Sequence, residues 1–389
     1  MSVFDQLVGQ DRVVAILKAA ATDPSAMTHS WLLTGPPGSG RSVAARAFAA
    51  ALQCEVISNP GCGVCNACRT TALGSHPDVT VVATNETFIR VDQARALALA
   101  AASQPVSGRW RVFIIEDADR LNEQAADALL KTLEEPPPRT VWLLCAPTLD
   151  DLIVTVRSRC RHVRLGTPPV AAVADLLIRR DGIDPSMAHY AARAAQSHVG
   201  VAKRLATDEA ARARRRRYVG IPVGLTSLGS CLEAARTIID EAAATAESVS
   251  GDDAAQARVE LLRQLGADPS ARTQPPAVRA HLKQLDDDQK RIAKRRQHDS
   301  IDAALTDLSS VYRDALVLGT GAHIEAINAS ELDVVRSVAR AMKPEELLGA
   351  LESINLARAR LVANGAPLLV IEAMMIALTF PRAPMGASV

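Results

Sequence analysis

The sequence predicts an α/β domain built on a five-stranded parallel sheet, followed by two all-helical regions. Three observations carry this prediction. Short apolar runs alternate with helical patterns through residues 1–166, as strands buried between helices do. A glycine-rich stretch, Gly35 to Ser42, lies between one such run and a helical pattern. No strand signal follows Pro222.

Val8-Gly9-Gln10 reads as a turn, with a helix beginning near Asp11 and closed by Pro24. Residues 30–34 form the first strand, and the alanine-rich helix 41–52 follows the glycine stretch. A second strand over 78–83 leads to a helix over 91–102, and 111–116 is a third strand. Asn122 can cap the next helix, which ends before Pro136-Pro137-Pro138 because proline has no N–H to donate. Strands over 141–146 and 161–165 complete the sheet. Gly166-Thr167-Pro168-Pro169 reads as a hinge, so the first domain spans 1–166. Residues 167–220 are a helical domain with breaks at Asp181-Gly182 and His198-Val199-Gly200. Residues 221–389 are a second helical domain, with a polar insertion over about 248–300 and a frayed tail after Pro381.

At 389 residues the chain suits two or three domains, and its formal charge of +1 gives no bulk attraction to nucleic acid or membrane. No apolar run reaches the ~18 residues of a membrane span. The N-terminus lacks the basic start and apolar core of a signal peptide, which points to the cytoplasm. Aromatic residues make up only 3%, leaving few rings to stack on bases.

Gly35-Pro36-Pro37-Gly38-Ser39-Gly40-Arg41-Ser42 fits the phosphate-binding pattern G-x-x-x-x-G-K-[ST] except that Arg41 replaces Lys. Its glycines let successive N–H groups face an anion at a helix N-terminus, and Ser42 would place a hydroxyl for Mg2+. Arginine is longer, planar and forked, so the exchange suits nucleotide holding better than hydrolysis. The strand 111–116 ends in Glu116-Asp117, an acidic pair of the kind that holds Mg2+ and orients water, but in reversed Asp/Glu order. A merely structural glycine turn and solvent-facing acids are the plainer readings, and each weakens the other when both motifs occur together.

Seven cysteines without a signal peptide argue against a disulfide framework. Cys54, Cys62, Cys65 and Cys68 have spacings that close a tetrahedral Zn2+ site, with Gly61 and Gly63 permitting the turns. The rival is an iron–sulfur cluster, disfavoured because position 72 is Ala. Four protein ligands make the zinc structural. Arg157, Arg159 and Arg161 alternate along the chain; they suit a solvated edge, a nucleic-acid patch, or an arginine finger aimed at a neighbouring subunit's nucleotide.

Together these segments resemble the clamp-loader branch of the AAA+ superfamily. The resemblance rests on Leu129-Leu130-Lys131-Thr132-Leu133-Glu134-Glu135-Pro136-Pro137, on Ser158-Arg159-Cys160, and on the cysteine module followed by Gly74-Ser75-His76-Pro77-Asp78. Ile89-Arg90-Val91-Asp92-Gln93 and Val8-Gly9-Gln10 match as well. It implies an AAA+ P-loop domain with a zinc-module insertion, a lid, and a helical collar. It also implies that Val8 lies by the adenine of ATP or ADP, with Mg2+ present only if nucleotide binds. Partners implied are gamma/tau and delta clamp-loader subunits, the sliding clamp, and primer-template DNA through the complex, with no membrane.

Within that family the departures cluster in the chain's own site. Arg41 stands for Lys, Glu116-Asp117 for Asp-Glu, Cys145-Ala146-Pro147 for a sensor Thr, with Thr148 displaced, and Lys203, or Arg204 one residue late, for the sensor Arg after Gly200. Arg159, which would act on a neighbour, is intact. The expectation is a non-hydrolysing, stator-like subunit. An ATP-hydrolysing motor of the gamma/tau kind and a zinc-bearing DNA-binding protein using the basic runs 212–217 and 290–296 are the alternatives.

Overall fold

The computed structural model describes residues 2–83, 88–264, 275–322 and 324–379. The chain forms two compact units, Met1–Thr207 and Asp208–Val389. The first holds the expected sheet: β1 (Ser30–Thr34), β2 (Val79–Val82), β3 (Arg111–Ile115), β4 (Thr140–Ala146) and β5 (Arg161–Arg164). The order is β2-β3-β4-β1-β5, and every pairing is parallel. Parallel pairing needs crossovers. They are supplied by α2 (Arg41–Gln53), α3 (Asn66–Ala72), α4 (Val91–Ala101), α5 (Glu123–Glu134) and α6 (Val154–Arg157), while α1 (Asp11–Thr22) precedes β1.

Alternation along β1 divides the core. Trp31 and Leu33 face the layer of α1 and α2, whereas Leu32 faces the layer of α4 and α5 with Phe113 and Trp142. Alanines 44, 45, 47, 49, 50 and 51 of α2 are all buried, so this helix lies close against the sheet. Phe48 fills the remaining space edge-on to Trp31, with ring centroids 5.1 Å apart. Asn122 caps α5 as expected, its Oδ1 accepting from Ala125 N at 2.8 Å.

Three further helices close the first unit: α7 (Val170–Asp181), α8 (Pro185–Ala194) and α9 (Val199–Thr207). The break at Asp181-Gly182 is a helix end in which Gly182 takes the left-handed conformation, φ 66°. Asp184 then caps α8, with Pro185 at its first position.

The second unit is entirely helical among the described residues: α10 (Glu209–Gly224), α11 (Leu228–Gln264), α12 (Pro276–Gly319), α13 (Leu332–Ala341), α14 (Pro344–Val362) and α15 (Pro367–Thr379). Its core joins Ile238, Leu305, Leu308, Tyr312, Ile354 and Met375. Where the sequence suggests a polar interruption over 248–300, the described residues continue two long helices of 37 and 44 residues. A small cluster of Leu262, Val278 and Leu282 ties their far parts together. Residues 265–274 and the tail after Pro381 lie outside the described residues.

Candidate functional site

A cavity of about 300 Å³ lies at the N-terminus of α2. Its walls are residues 6–8, residues 37–43, and from the helical part of the same unit Pro168, Arg180 and residues 198–200. Val8 and residues Pro37 to Ser42 are therefore brought together. Gly38 and Gly40 have φ of 82° and 91°, conformations open to glycine at little cost. A Cβ on Gly38 would come within 2.6 Å of His198 Cα, so the loop and the start of α9 touch through bare backbone. Gln10 staples this arrangement. Its Nε2 donates to Gly166 O at 2.6 Å, and Gly166 N donates back to Oε1 at 3.2 Å.

The loop retains a means of receiving an anion. Ser39 is 2% exposed, lines the cavity, and its Oγ has no hydrogen-bond partner. A buried hydroxyl in that condition is costly until something polar meets it. The residues present thus fit nucleotide phosphates.

They do not fit magnesium in the same way. Arg41 folds back, its Nη1 donating to Gly35 O at 2.5 Å. Glu116, at the end of β3 and 14% exposed, accepts from Arg46 Nε of α2 at 2.7 Å. The acid expected to hold a cation already has one. Farther along, burial and the neighbouring Asp117 hold the Asp119 carboxyl above its ordinary value.

The sensor positions also depart. Cys145 and Ala146 are buried at the end of β4, and Thr148 turns away, its Oγ1 donating to Asp151 Oδ2 at 2.8 Å. Lys203 places Nζ on Asp181 at 2.8 Å and is not among the residues lining the cavity. Arg180, itself paired with Asp181, and His198 are among the helical-side residues that do line it. Sequence reasoning treated His198 only as part of a break and gave Arg180 no role. Burial lowers the His198 pKa, favouring the neutral ring.

The cysteine module grows from the other end of α2. Cys54 caps α2, Cys65 caps α3, and Cys68 lies in the first turn of α3. All four sulfur atoms lie within 4.8 Å of one another, Cys54 and Cys65 at 3.9 Å. A tetrahedral zinc with Zn–S near 2.3 Å sets sulfurs about 3.8 Å apart. A four-iron cube bonds each thiolate to a different iron and needs a wider set. The N–H groups of Val64 and Cys65 draw the Cys62 thiol down to about 7, toward the thiolate that metal requires. Gly61 and Gly63 have φ of 85° and 75°, supplying the turns. The four cysteines could hold zinc.

Arg159 follows α6 on an exposed edge. Its Nε donates to Glu134 Oε1 at 2.5 Å, and its Nη1 donates to Thr155 O at 2.6 Å. Glu134 belongs to the Leu-Leu-Lys-Thr-Leu-Glu-Glu-Pro-Pro segment, so the two most specific motifs of the sequence meet here.

Residues 9–169 match the family model described as "DNA polymerase III, delta subunit". The DNA polymerase III subunit delta' of Pseudomonas aeruginosa is 39% identical over 163 residues, covering 41% of this chain and 50% of that protein. The gamma/tau subunit of Mycobacterium bovis is 34% identical over 179 residues, covering 45% of this chain and 31% of that protein. The chain thus spans half or less of the length of these curated relatives. A DNA polymerase III gamma-subunit-related protein from Thermotoga maritima resembles it in structure at 15% identity and a TM-score of 0.35, covering 95% of this chain and 98% of that one. No helix among the described residues is long and apolar enough to cross a membrane.

Proposed function

We propose that the chain is a delta-prime-like subunit of the DNA polymerase III clamp loader, a stator that does not itself hydrolyse ATP. It would assemble with gamma/tau and delta subunits, which together open the sliding clamp and place it on primed DNA. The observation carrying the non-hydrolytic part is the pair of arginines at the phosphate loop. Arg41 is bound to the loop's own carbonyl and Arg46 to Glu116, so neither the usual lysine charge nor the acid that helps hold magnesium is available for in-line attack. Zinc at Cys54, Cys62, Cys65 and Cys68 would be structural. Arg159 would serve a neighbour: released from Glu134, its guanidinium can reach the γ-phosphate of ATP on an adjacent gamma/tau subunit.

The test is reconstitution. Arg159→Ala should leave the loader assembled and reduce its DNA-stimulated ATPase activity severalfold; unchanged activity would remove Arg159 from this role. The isolated chain should show no ATP turnover. The likeness to gamma/tau subunits supports a motor as second reading. Turnover by the isolated chain, abolished by Ser42→Ala, would establish it instead.

A further inference from the structure

The cations around Gly35–Ser42 are arranged unlike those of a magnesium-dependent phosphate site. Glu116 directly follows β3, where the sequence pattern places an acid that would hold Mg2+. Its Oε1 accepts from Arg46 Nε at 2.7 Å, and its side chain is only 14% exposed. Arg46 belongs to α2, the helix whose first turn carries the phosphate loop. A guanidinium never loses its charge, so the carboxylate is compensated permanently and a divalent ion brought to it meets a like charge at close range. The anion side is untouched by this. Gly38 and Gly40 keep their left-handed backbones, and the buried Ser39 Oγ lines the cavity without a partner. Arg180, paired with Asp181, also lines the cavity.

We propose that this loop binds nucleotide phosphates free of metal, with Arg46 standing at Glu116 in place of the divalent cation. The inference rests on Gly35–Ser42 being a phosphate loop and goes beyond the absence of hydrolysis. It makes the nucleotide a structural ligand whose affinity is indifferent to magnesium. Ser39 Oγ gains its missing partner when the ligand enters.

The experiment is calorimetric titration of the full chain with ADP, in millimolar magnesium and again in EDTA. Referred to the ADP not chelated by magnesium in solution, the two dissociation constants should agree within about twofold. Binding at least about tenfold weaker in EDTA, or no binding in either buffer, overturns the proposal. Arg46→Gln releases Glu116 and should make ADP binding about tenfold tighter with magnesium than without. Electron paramagnetic resonance should then find Mn2+ bound in the ADP complex of Arg46→Gln and none in the unsubstituted chain. Bound Mn2+ in the latter overturns the assignment directly. Arg46→Lys keeps the charge and should keep the indifference to magnesium, which separates the electrostatic effect from simple damage to α2. Co-elution with a gamma/tau subunit tests the clamp-loader reading independently: a chain that assembles but binds ADP only with magnesium refutes this inference alone.

Discussion

Replacing Asp78 by Asn should weaken the first unit more than almost any other polar substitution. The side chain is 0% exposed. One carboxylate oxygen accepts from Val106 N at 2.7 Å; the other accepts from Ser107 N at 2.8 Å, Gly108 N at 2.6 Å and Ser107 Oγ at 3.1 Å. Burial alone would raise its pKa, but these donors win and bring it from 3.8 down to about 2. At 1.36 kcal/mol per unit, the ionised carboxylate contributes on the order of 2 kcal/mol at neutral pH. Asparagine turns an N–H2 toward N–H groups and orphans at least one of them, adding about 1–3 kcal/mol. The total expected loss is therefore roughly 3–5 kcal/mol.

All three tryptophans, Trp31, Trp110 and Trp142, lie in the first unit, so urea unfolding followed by tryptophan fluorescence reads that unit alone. The sign with pH follows from the depressed folded value. The Asp78 contribution is complete above about 4 and disappears as pH falls from there through about 2. Asp78→Asn should flatten that part of the acid profile. A loss below about 0.5 kcal/mol with an unchanged profile would show that the 106–108 segment is not held by this carboxylate.

Metal analysis should find about one zinc per chain and no iron chromophore, and Cys65→Ser should lower the tryptophan-monitored Tm by about 5 °C or more. In the second unit, burial pushes the Asp307 carboxyl up to about 7 against the opposing pull of Arg215, with Glu331 nearby adding to the rise. A folded value raised above the unfolded one gives stability that is complete below about 4 and is lost as pH rises through about 7. Asp307→Asn should remove that decline, read by circular dichroism at pH 5 and pH 8.

The strands were readable because a parallel sheet between helix layers leaves no polar face, and runs such as Val112-Phe113-Ile114-Ile115 have no other use. Asn122 and Gly182 were readable because caps and left-handed helix ends are chemically selective. The short α3 was hidden inside the cysteine spacing, where Cys65 serves as both cap and candidate ligand. Residues 248–300 misled because two long helices leaning mainly on each other need only a thin apolar stripe, here Leu262, Val278 and Leu282. Gly251 lies within α11, and a helix tolerates one glycine at a cost of about 1 kcal/mol. At the cavity, the phosphate loop and the Val8 turn were legible as motifs. Arg46 was not, since its partner Glu116 is 70 positions away and only the fold brings them together. Arg180 and His198 reach the cavity for the same reason.

Helix α2 begins at the glycine-rich loop and ends at Cys54 of the candidate metal site. Thirteen helical residues span about 20 Å. Such a length, wedged by its alanines against the sheet, works as a strut fixed at both extremities. One anchorage is the cysteine cluster and the other is the backbone of the loop. Oxidation or chelation at the cysteines would therefore be felt as slack at Gly38 and Gly40.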